Sequence, residues 1–128
     1  MQRGNQNIAL RSAGIPPEFI AITVISVEEQ LRGRFAKIRE AESRKNRDGL
    51  LLAYRNLRVT FESLAKFSIL DFTAESKNRY LELKQDIKIG KQDLKIAAIA
   101  LSVNGIMVTR NHRDFAKVPN LRIEDWTV

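Results

Sequence analysis

The chain has 128 residues and carries 22 Lys and Arg against 15 Asp and Glu, a net charge of +7. That length suits one domain with a core of its own, and the cationic excess favours a polyanionic partner such as nucleic acid. The absence of cysteine excludes disulfides and thiolate metal sites and agrees with a cytoplasmic location; the N-terminal MQRGNQNIALRSAGIPPEF has no apolar core of signal-peptide length, and no segment has the length of a bilayer span.

Residues 1–15 are polar apart from Ile8-Ala9-Leu10 and suit a short helix, which Pro16-Pro17 ends. Phe19 to Ile25, FIAITVI, is β-branched and apolar on both faces, as a buried parallel strand is. Ser26 then reads as the N-cap of a helix through QLRGRFAKIREAES, with Glu29 three residues on as its capping-box partner. A second helix is predicted from Asp48 to Lys66, with Leu50, Tyr54, Leu57, Phe61 and Leu64 on one face. The short polar link at Ser43–Asp48 predicts that these two helices pair as a hairpin. Ser68–Phe72 follows as a strand, and Thr73 caps a helix that turns Tyr80, Leu81 and Leu83 to the core before Gly90 breaks it. The helix from about Gln92 to Val103 is apolar nearly all round and should be buried, with a left-handed cap at Asn104-Gly105. Ile106–Thr109 is a strand, His112–Ala116 a short helix and Leu121–Ile123 a last strand. Alternating strands and helices indicate an α/β domain with a mainly parallel sheet flanked by helices.

Ligands of such sheets bind beyond the carboxyl ends of the strands. Ser26 and Glu29 follow the first strand there, Thr109, Arg110, Asn111 and Asp114 follow IMVT, and Asp93 opens the buried helix. Carboxylates gathered at one rim repel, and a hard divalent cation, Mg²⁺ or Mn²⁺, resolves the repulsion while activating water for attack on phosphate. Each residue also has a plain structural role. Glu29 closes a capping box, Asp93 complements a helix dipole, and Asp114 caps its helix or pairs with Arg110 or Arg113. His112, alone among charges, reads as solvent-exposed, and Trp126 as a packing anchor. The basic run Arg32, Arg34, Lys37 and Arg39 is a solvated helix face or, more sharply, an RNA-docking one.

The stretch QDLKIAAIALSVNGIMVTRNHRDFAKVPNLRIEDW resembles the C-terminal half of PIN-domain proteins of the VapC toxin type. It carries D-x-x-I-A-A, a strand ending T-R-N-x-x-D-F and a closing V-P-x-L-x-I-E-D-W; upstream, ITVISVEEQLRGR resembles the strand and helix that bear the family's Glu. The resemblance reaches residues 1–128 as one domain, loosely over the middle helices. It implies Mg²⁺- or Mn²⁺-dependent cleavage of RNA, with Glu29, Asp93 and Asp114 as catalytic and metal-holding acids. It also implies that Thr109 and Asn111 support the metal site and that an antitoxin and a second copy are partners; Ser26, from its place on the same rim, is expected to join that support, and Arg110 and Arg32, as nearby cations, to meet phosphate. The family's first strand, with its own Asp, is expected to be absent, because MQRGN already reads as the helix that follows it. Two functions are therefore carried forward. One is an endoribonuclease toxin; the other is a catalytically impaired relative that binds antitoxin or RNA. A purely structural domain fits the ordered motifs least.

Overall fold

The computed structural model describes residues 14–15, 20–44, 47–109 and 111–125, the side chain of Arg47 excepted. Residues 1–13 of the helix expected at 1–15, the Pro16-Pro17 turn, Trp126 and the question of a first strand lie outside that range.

Among the described residues the order is β1 (Ala21–Thr23), α1 (Val24–Ser43), α2 (Arg47–Leu64), β2 (Ser68–Leu70), α3 (Ala74–Asp86), α4 (Lys91–Ser102), β3 (Ile106–Val108), α5 (His112–Phe115) and β4 (Arg122–Glu124). The strands form two parallel pairs. In β1–β2, Ile22 lies opposite Ile69, and in β3–β4, Met107 lies opposite Ile123. The parallel α/β class expected from the alternation is therefore present, as two short ladders within the described residues.

The first strand is shorter than its apolar run because the helix begins early. Thr23, in extended backbone, is the N-cap of α1, and its Oγ1 accepts from the Ser26 N–H at 3.1 Å. The expected capping box at Ser26 and Glu29 is thus displaced by one turn: Ser26 is the third helical residue, and Glu29 lies inside the helix. Thr73 caps α3 as predicted, accepting from the Ser76 N–H at 3.1 Å, and Ser76 is fully buried with its hydroxyl donated to the Thr73 carbonyl. Helix α4 ends in a Schellman motif. Gly105 N–H bonds to the Ala100 carbonyl at 2.8 Å, Asn104 N–H to that of Leu101 at 3.1 Å, and Asn104, not Gly105, is the left-handed residue.

The core is concentrated around α4. Leu94 and Ala98 pack with Tyr80 of α3 against Phe72, Leu83, Ile87 and Ile89. On its other side, Ala97 packs with Phe115 and Val118 against Leu101, Met107, Leu121 and Ile123. Ala residues on both faces let the neighbouring elements approach closely, which is why a helix apolar all round is buried here. Leu81, expected towards the core, is exposed, since Tyr80 and Leu83 already fill the α3 face that meets α4.

Helices α1 and α2 form the expected hairpin, in which Ile38, Ala41 and Ala53 are buried. Arg34 Nε crosses it to Thr60 Oγ1 at 2.8 Å. The predicted inward face of α2 is only partly inward: Leu50, Leu57 and Leu64 are half-buried, whereas Tyr54 and Phe61 are exposed. The small residues at the contact leave the larger side chains at its margin.

Candidate functional site

The geometry centres on the first turn of α4. Gly90 is its N-cap and supplies no side-chain bond, and Asp93 stands in the first turn three residues on. A helix N-terminus by itself favours an ionised carboxylate. Here two effects outweigh it. Burial raises the Asp93 carboxyl above its ordinary value, and the negative charge of Asp114 raises it further. Asp114, 21 positions on by its numbering, therefore lies close enough for its charge to act on Asp93.

The motif TRNxxD fixes Asp114 through a relay of hydrogen bonds. Thr109 N–H donates to the Glu124 carbonyl at 3.0 Å, which ties the carboxyl end of β3 to β4. Thr109 Oγ1 accepts from the Asn111 N–H at 3.0 Å. Asn111 then caps α5, accepting from the Asp114 N–H at 3.4 Å and donating Nδ2 to Asp114 Oδ2 at 3.2 Å. Lys117 stands 3.9 Å from the other carboxylate oxygen. The hydroxyl and the amide thus aim the carboxylate relative to the sheet.

Glu28 and Glu29 occupy successive positions near the start of α1 and meet different neighbours. Glu28 Oε1 accepts from Gln92 Nε2 of α4 at 2.9 Å, and its Oε2 meets Arg32 Nη2 at 2.6 Å. The Gln92 bond, opposed by some desolvation, and the charges of Arg32 and Lys95 hold this carboxyl below its usual range. Glu29 is exposed and lines a shallow groove with Gln30, Gly33, Arg34 and Lys37. One residue of helix turns a side chain by about 100°, which separates the two acids.

The structure thus brings Asp93 and Asp114 together, with Thr109 and Asn111 supporting Asp114. It does not bring Glu29 to them: among the described residues, no three acidic, histidine or cysteine side chains converge at metal-holding distance. Ser26 serves the Thr23 cap through its N–H and a 3.1 Å contact between the two hydroxyls. Arg32 is engaged by Glu28, and Arg110 lies outside the described residues. His112 is exposed, as expected. Glu28 and Gln92 were missed from sequence. A bond across 64 positions leaves no sequence signal. The donor set fits a hard cation in part: two carboxylates with a mutual repulsion that a cation relieves, and amide and hydroxyl groups behind them.

Comparison with known proteins gives a consistent result. The model of the PIN domain matches residues 15–121. The chain is similar to ribonuclease VapC2 of Rickettsia felis, 37% identical over 68 residues, which cover 49% of this chain and 51% of that protein. It is similar to the tRNA(fMet)-specific endonuclease VapC of Salmonella typhimurium, 30% identical over 77 residues, covering 56% and 58%. The matched part thus spans little more than half the length of either relative. Among solved structures, VapBC-1 from nontypeable Haemophilus influenzae superposes with a TM-score of 0.77 at 25% identity, over 96% of this chain and 87% of that one. No described helix is long and apolar enough to cross a membrane.

Proposed function

The chain belongs to the PIN-domain family and is of the VapC type, and from that premise we propose that it is a metal-dependent endoribonuclease, the toxin half of a toxin–antitoxin pair. The observation that carries the proposal is the Asp114 carboxylate, fixed by Thr109 and Asn111 and near enough to Asp93 in the first turn of α4 for its charge to act there. Relatives named as a ribonuclease and as a tRNA endonuclease support the substrate class, and the likeness to a VapBC structure supports an antitoxin partner.

In this reading residues 1–128 form one PIN-like domain that works in the cytoplasm, alone or as a homodimer. Asp93 and Asp114 hold Mg²⁺ or Mn²⁺, with Glu29 as the third acid on the strength of the family resemblance. A bound ion of this kind lowers the pKa of coordinated water and stabilises charge on a phosphoryl group. Thr109 and Asn111 keep the Asp114 carboxylate in place, and Ser26 secures the cap on which the Glu29 helix starts. Arg32 gives one guanidinium edge to Glu28 and keeps further N–H donors for a phosphate; Arg110 is the second such cation.

One observation favours the second reading, an impaired relative that binds RNA or antitoxin: no three acids converge among the described residues. Cleavage of transfer RNA by the purified chain, with Mg²⁺ and with chelator and beside Asp93→Asn, separates the two. Metal-dependent cleavage that Asp93→Asn loses by about a hundredfold or more is the result expected of the enzyme, since metal chemistry is asked for several kcal/mol of barrier lowering. RNA binding without cleavage, indifferent to Mg²⁺, establishes the second reading instead.

A further inference from the structure

We propose that Gln92 is a positioning residue of this site, tying Glu28 at the start of α1 to the turn of α4 that carries Asp93. The proposal rests on the metal-dependent reading above and deepens it by naming what sets the distance between its two acid-bearing helices.

The tie is a single amide–carboxylate bond, Gln92 Nε2 to Glu28 Oε1 at 2.9 Å. The other oxygen of Glu28 is occupied by Arg32 at 2.6 Å, so the carboxylate is held on both sides. Each end of the bond is the covalent neighbour of an acid assigned to the cation: Glu28 precedes Glu29, and Gln92 precedes Asp93. Neighbouring Cα atoms are about 3.8 Å apart, so the bond ties together the two backbone segments that carry these acids.

The chemistry of the pair suits this task. A neutral amide donates to Glu28 without placing a fixed charge beside a divalent cation, as lysine would. Alanine at 92 leaves Glu28 with its intrahelical Arg32 and removes the side-chain bond from α1 to α4. Gln92 acts through Glu28 and touches neither cation nor RNA. Partners bonded directly to a ligand cost about ten- to a hundredfold in metal affinity or activity when lost, and Gln92, one step further out, belongs at the lower end of that range.

The test uses the full chain as wild type, Gln92→Ala, Gln92→Asn, Glu28→Gln and the swap Glu28→Gln/Gln92→Glu. Mn²⁺ affinity is measured by calorimetry, transfer-RNA cleavage by kcat and KM, and folding by circular dichroism. Gln92→Ala is expected to weaken Mn²⁺ binding about tenfold and to lower kcat while KM holds. Gln92→Asn, one methylene too short to reach, moves the same way with less risk to the fold. The swap rebuilds the amide–carboxylate bond with donor and acceptor exchanged and recovers most of the lost affinity. Recovery also separates positioning from ligation, because a cation bound by Glu28 itself is lost in the swap. Mn²⁺ affinity within twofold of wild type in folded Gln92→Ala and Gln92→Asn overturns the proposal, as does a swap no better than the single variants. A wild-type chain that binds no Mn²⁺ overturns it too. A wild-type chain that binds Mn²⁺ and cuts no RNA overturns the ribonuclease reading alone.

Discussion

The segment from α3 to β4 and the hairpin of α1 and α2 bury their apolar residues in opposite manners. The first closes around α4 on both sides, with Ala97, Ala98 and Ile99 fully covered. The second meets along Ile38, Ala41 and Ala53 and leaves Leu51, Leu52, Tyr54 and Phe61 exposed. The facing carboxylates belong to the first region and Glu29 to the second. Holding two like charges together has an energetic cost, and a packed core of this kind supplies the rigidity to sustain it. The hairpin, anchored to α4 by Glu28 and Gln92 at its root, delivers its acids with less constraint.

The largest effect that bears on this comparison is a cavity in the packed half. Ile99→Ala should cost about 2–5 kcal/mol, read from the urea midpoint, whereas Leu51→Ala, at a side chain 68% exposed, should stay within about 0.5 kcal/mol. Equal losses at the two positions would erase the contrast between the regions. Next in size is the cap of α3: Thr73→Ala removes the acceptor for the Ser76 N–H and should cost about 1 kcal/mol. Smaller and opposite in sign is Gly33→Ala. A Cβ at this mid-helix position meets nothing within 4 Å, so helix propensity alone should stabilise the chain by about 0.5–1 kcal/mol. A loss of stability there would mean that the exposed side of α1 is more closely packed than the contacts indicate.

The smallest effect is a pH dependence. The Asp93 carboxyl is raised in the folded chain, so the folded state keeps this proton to higher pH than the unfolded one. Its contribution is therefore most favourable below the ordinary carboxylate range and is lost as pH rises through the raised value. Glu28 has the opposite sign. Its lowered carboxyl stabilises at neutral pH and ceases to do so as pH falls through and below the usual range. Unfolding curves from pH 3 to 7 (about the span in which carboxylates titrate) should thus steepen for Asp93→Asn relative to wild type. The remaining Glu28 term then acts without Asp93's opposing one. An unchanged slope would contradict the burial and the Asp114 contact that raise Asp93.

Much of the packed half was legible because its signals are local. Thr73 before a helical pattern, Gly90 at a break and Asn104-Gly105 after an apolar run each mark a boundary by their own backbone chemistry, and α3 and α4 follow them. The start of α1 was harder, because Thr23 and Ser26 are both good caps and stand one turn apart; the upstream hydroxyl took the role. The apolar spacing of α2 announced an amphipathic helix but not what covers its stripe, and Ala41 and Ala53 set a contact that leaves Tyr54 and Phe61 outside. At the site, the motif TRNxxD contained its own geometry, since the relay from Thr109 through Asn111 to Asp114 runs over six consecutive positions. That Glu28 rather than Glu29 meets Gln92 depends on where α4 lies beside α1, which periodicity does not specify.

The most direct measurement of the central claim is the stabilisation that Mn²⁺ gives to wild type and to Asp93→Asn/Asp114→Asn, read by urea unfolding. A ligand at a hundred times its dissociation constant adds about 2.7 kcal/mol to the folded state. An increment of that order is expected in wild type and none in the double variant. The same increment in both, or none in wild type, would contradict the assignment of the Asp93–Asp114 pair as the seat of the cation.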